Sequence, residues 1–168
     1  MSSFWQSRCQ VLAAGMIGFL LVSPALPQTS VKPLPKPEPV AETKLLMEGL
    51  NQANFQGLER ILKEKPESAE AWAFARGQAL LIAETANLLM LRPPKTQGQT
   101  IWLDRSADLR TAAARLARAA ADKDLPRGRA GLIEVANSCN RCHQAFRISV
   151  RIAPFTDPAD RNLRPPIP

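Results

Sequence analysis

The chain has 168 residues, with 22 Lys and Arg against 15 Asp and Glu, a net charge of +7 and a single histidine. That length accommodates one small domain with flanking segments. The positive charge comes with no nucleic-acid recognition motif, so its expected uses are solubility or steering toward an acidic protein surface, not binding to nucleic acid.

Residues 1–25 read as a secretory signal. Arg8 supplies a short basic region, Val11 to Val22 an apolar run, and Ser23-Pro24-Ala25 a small-residue cleavage site. This run is shorter than the roughly twenty residues a bilayer span needs, so membrane contact is expected only if the segment stays uncleaved. Cys9 precedes the apolar run and leaves with it; loss of Arg8 lowers the charge to +6. Residues 26–40 follow as a linker, with five prolines between Pro27 and Pro39. Such a stretch is extended rather than helical.

Residues 41–152 carry four segments of helical period and no strand alternation. The first, from about Glu42 to Glu64, places Met47, Leu50, Asn54, Leu58, Ile61 and Leu62 on one side and stops at Pro66. Asn51 and Asn54 flank the Met47 face, where they could hydrogen-bond near a bound group, but they read as helix-surface residues. The second runs from about Ser68 to Leu91, with a stripe from Trp72 through Ala79 and Ile82 to Met90, and is stopped by Pro93-Pro94. The third, about Thr100 to Ala121, points Trp102, Leu109, Ala113, Leu116 and Ala120 inward. The fourth starts after Asp124, tolerates Pro126 in its first turn, and is expected to end near Ile152. Residues 153–168 form a proline-rich tail with no assigned function. Short connections favour an all-α, antiparallel up-down-up-down four-helix bundle.

The fourth segment contains Cys139-Asn140-Arg141-Cys142-His143, a C-x-x-C-H sequence. This is the attachment pattern of a c-type haem: two thiols form thioethers with the vinyl groups, and the adjacent imidazole binds the iron. A thioredoxin-like dithiol would need a preceding strand. A structural zinc site wants four ligands, and the mature chain supplies two thiols and one imidazole. A disulfide at this spacing closes too short a loop to stabilise much. At 100° per residue, Leu132, Val135, Ala136, Cys139, Cys142, His143 and Phe146 fall within an arc of roughly 120°. A single covalent haem would therefore lie within the helix packing. Phe146 is expected at the haem edge or against a neighbouring helix, and Arg147 at the rim, where it could pair with a propionate. Thioether attachment takes place outside the cytoplasm in bacteria, so motif and leader agree on a periplasmic protein.

A C-terminal helix with Cys139, Cys142, His143, Phe146 and Arg147 in the pattern C-x-x-C-H-x-x-F-R, preceded by three helices, resembles the cytochrome c′ and cytochrome c-556 family of class II c-type cytochromes. The resemblance covers roughly residues 41–152. It implies a haem-binding bundle in the periplasm, frequently a homodimer.

Two methionines remain after loss of the leader, Met47 and Met90, and both lie at the haem end of an antiparallel bundle. Topology does not choose between them. The resemblance implies that the distal residue comes from the first helix, a methionine in the c-556 type and a noncoordinating apolar residue in cytochromes c′. On that ground Met47 is the expected distal ligand. His143/Met47 ligation suits a one-electron carrier serving redox partner proteins, since a Met ligand raises the potential. An open distal side would instead bind nitric oxide or carbon monoxide. Peroxidase-like catalysis ranks last, because no second histidine exists to act as distal base. The expectation is a carrier and not an enzyme.

Overall fold

The computed structural model describes residues 34–156, which from Lys36 onward belong to one compact unit. The expected signal segment and most of the proline-rich tail lie outside the described residues. Leu34 to Val40, the end of the expected linker, is exposed and without regular structure.

Four helical rods form the domain, and no strand occurs among the described residues. The first rod comprises α1 (Thr43–Leu46), a π-helical stretch (Met47–Gln52) and α2 (Ala53–Lys63). Pro66 follows, and the Ser68 hydroxyl then accepts from the Ala71 N–H to start α3 (Ala69–Met90). Pro93-Pro94 ends that rod. Gly98, at φ 83°, turns the chain into α4 (Gln99–Ala121). The last rod is α5 (Leu125–Ala145), capped by the Asp124 carboxylate on the Arg127 N–H, with Pro126 in its first turn.

Each rod packs on its two neighbours: α2 on α3, α3 on α4, α4 on α5, and α5 back on α2. Together with the short connections this is the expected four-helix bundle. Leu58, Leu62, Ile82, Leu116, Leu132 and Val135 are fully buried at its centre. Alanines line the facing sides of α3 and α4, and Gly131 lets α5 approach α4 closely. A Cβ at Gly131 would lie 3.3 Å from the Leu116 Cα.

Three expectations need correction. In the first rod the buried residues are Leu46, Asn51, Phe55, Gly57, Leu58 and Leu62, while Leu50 and Asn54 are half-buried. The π-helical turn takes up more residues than an α-turn, which shifts the face presented to the core. In α3, Leu89 occupies the buried position and Met90 lies half-buried at its edge. The fourth helix ends at Ala145, well before Ile152. There the Ile148 N–H bonds the His143 carbonyl at 2.8 Å and the Arg147 N–H bonds the Gln144 carbonyl at 3.2 Å. With Arg147 at φ 55°, this is a Schellman-type stop. The chain then turns back as an irregular strap, and Ile152 and Phe155 pack against the core.

Candidate functional site

The apolar face of α5 runs from Leu132 through Val135 and Ala136 into Cys139, which packs against the same core cluster. Both motif cysteines are free thiols. Burial, reinforced by the neighbouring Cys142, pushes the Cys139 thiol up to about 12. Burial also raises Cys142, with Arg105 of α4 opposing the shift. A redox-active C-x-x-C pair shows the opposite pattern, since its reactive thiol is lowered at a helix N-terminus. Here both thiols occupy the last two turns of α5, where the helix dipole disfavours a thiolate. Neutral thiols in an apolar setting fit addition to vinyl groups better than disulfide exchange.

His143 follows in the final turn and is half-buried. Its Nδ1 lies 2.8 Å from the Val150 carbonyl oxygen. A carbonyl only accepts, so the ring proton sits on Nδ1 in that contact, leaving the Nε2 lone pair free for a metal. Asn140 anchors the same strap twice: its Nδ2 donates to the Ile152 carbonyl at 2.7 Å, and the Ile152 N–H donates to its Oδ1 at 2.8 Å. The Phe155 N–H donates to Glu59 Oε1 at 2.7 Å, tying the strap to α2.

Phe146 packs against a neighbouring helix. It meets Trp102 of α4 edge-on, with ring centroids 5.3 Å apart at 77°. Trp102 Nε1–H donates to the Leu89 carbonyl at 2.7 Å, linking α3, α4 and the end of α5. Arg147 is exposed and lies outside the helix whose rim it was expected to occupy.

Met47, at the start of the π-helical stretch, packs against the core that Cys139 also touches. The Asn51 side-chain amide donates to its sulfur at 3.4 Å. Asn51 is thus buried rather than a surface residue, and among the described residues its Oδ1 has no hydrogen-bond partner. Asn54 bonds the Leu50 carbonyl of its own helix at 2.7 Å. No hydrogen bond joins Met47 to His143 among the described residues. The sequence reading placed Asn51 beside the Met47 face but favoured a surface role for it, and it missed Asn140, which fills an unspecified position of the motif.

The donor set of two neutral thiols, an imidazole with Nε2 available and a thioether fits a c-type haem. Cys139 and Cys142 would hold it covalently, and His143 would bind its iron.

No curated protein and no solved structure matches the chain. The family model described as Cytochrome C′ matches residues 48–147, which include the C-x-x-C-H sequence and the four rods except α1 and Met47 at the start of the first. The protein belongs to the cytochrome c′ family and is a c-type haem protein.

Proposed function

We propose that this protein is a one-electron carrier of the periplasm. One haem would be held by thioethers to Cys139 and Cys142, and its iron would be bound by His143 and Met47. The haem, when bound, supplies a centre that takes up and gives back a single electron.

The chain's own residues divide the remaining work. The thiols fix the position of the group, so that it cannot leave with a change of charge. His143 offers Nε2 because its Nδ1–H donates to the Val150 carbonyl. Met47 offers a soft thioether that favours the reduced state. Cys139 packs against the core, so the bundle would shield one side of the haem from water and lessen reorganisation when the charge changes.

The observation that carries the Met47 assignment is its sulfur, held by Asn51 in a π-helical turn against the same core as Cys139. A methionine serving only as filler needs no such partner. Met90 lies at the edge of its helix face, half-buried. The leader, outside the described residues, supports export, as does the extracytoplasmic chemistry of thioether formation.

Optical spectra of the haem-loaded protein, oxidised and reduced, with and without carbon monoxide, test the reading. A low-spin spectrum unresponsive to carbon monoxide is expected. A high-spin spectrum that shifts readily with the gas would replace the carrier by a gas-binding protein.

A further inference from the structure

The strap from Ile148 onward lies beyond the residues that the family model matches, yet it reaches the proximal ligand. Ile148 and Val150 expose half or more of their side chains, so packing does not hold this part of the strap in place. The Val150 carbonyl is positioned instead by what lies on either side. The Schellman-type stop at Arg147 directs the chain back along α5. Two residues beyond Val150, the Asn140 amide grips the backbone of Ile152 through both its N–H and its carbonyl. The Ile152 side chain and Phe155 then pack against the core, and the Phe155 N–H bonds Glu59.

We propose that residues 148–156 form a proximal clamp, and that Asn140 is a positioning residue which acts through it to set the electron-donating strength of His143. A carbonyl fixed against Nδ1–H draws the proton toward itself and makes the imidazole more basic at Nε2. A more basic proximal ligand stabilises ferric over ferrous iron, so the clamp lowers the reduction potential. Without it Nδ1 would meet mobile water, a weaker and less directional acceptor. Asn140 is suited to this task because a primary amide carries both a donor and an acceptor, and here they engage the C=O and the N–H of one residue, Ile152. Its place between the two cysteines ties the clamp to the covalent attachment point. The inference rests on His143 as iron ligand and is independent of what occupies the distal side.

The test compares the haem-loaded full chain with Asn140→Ala. Two quantities are read: the reduction potential, and the solvent exchange of the His143 Nδ1 proton by NMR in the reduced low-spin state, with carbon monoxide added if the distal side is open. Asn140→Ala should raise the potential and accelerate exchange. Both quantities unchanged would overturn the clamp. Should Asn140→Ala fail to take up haem, Ile152→Ala loosens the same strap outside the motif and must shift both readings in the same directions. A wild-type chain that acquires no covalent haem would sink the haem reading itself, and the clamp with it, before any variant is compared.

Discussion

Asn51 and Met47 stand four residues apart in a π-helical stretch, with the amide of the first donating to the sulfur of the second at 3.4 Å. A side-chain amide directed at a thioether inside a bundle holds the methionine in one orientation. It also withdraws electron density from the sulfur. Both effects matter if that sulfur binds iron, because a poorer donor favours the ferrous state.

Replacing Asn51 by leucine should therefore lower the reduction potential of the haem-loaded protein. Stability should change little, by less than about 1 kcal/mol, because the substitution also removes a buried oxygen that has no partner among the described residues. Potentiometric titration and thermal denaturation check the two parts separately. A potential that does not move would mean that Met47 is not coupled to the iron.

Gly98 joins the α3–α4 connection to the Trp102–Phe146 pair. Its φ of 83° is unfavourable for any residue with a Cβ, and a Cβ there would lie 3.2 Å from the Phe146 ring. Gly98→Ala should destabilise the fold by about 1 to 2 kcal/mol. Denaturant unfolding followed by tryptophan fluorescence would report it.

At the other end of α5, the carboxyl of Asp124 is held below its ordinary range by the Arg127 backbone N–H and then by the Arg127 side chain. A depressed folded-state pKa gives stability that is fully present above the ordinary aspartate pKa of about 4 and lost as pH falls through the folded value. Asn caps a helix about as well as Asp without titrating. Acid melting curves should accordingly show that Asp124→Asn removes part of the loss of stability below about pH 4.

The sequence made the core-facing side of α5 legible because the repeat Leu132, Val135, Ala136, Cys139 keeps α-helical phase, and the structure packs those residues against the core. The α4 stripe of Leu109, Ala113, Leu116 and Ala120 was readable for the same reason. The first rod was misread because a 100° projection assumes α phase throughout; only the five-residue step from buried Leu46 to buried Asn51 departs from it. The end of α5 was misread because a helix stop usually carries glycine in the left-handed position, and here Arg147 takes it. Once that stop was missed, the strap and its contact with His143 could not be anticipated. Asn140 was invisible as well, since the motif specifies nothing between its cysteines.

Converting both cysteines to serine should abolish covalent haem while leaving the helical rods in place, since Cys139 lies at the edge of the core rather than among its fully buried members. Haem staining after denaturing electrophoresis, together with circular dichroism, reads both outcomes. Staining that survives the double substitution would disprove attachment at this motif.

The most direct measurement is the absorption of the oxidised haem protein in the region of the methionine-to-iron charge-transfer band, for wild type, Met47→Ala and Met90→Ala. The band should be present in wild type, absent in Met47→Ala and retained in Met90→Ala. A band that persists without Met47, or is missing from the wild type, would contradict His143/Met47 ligation.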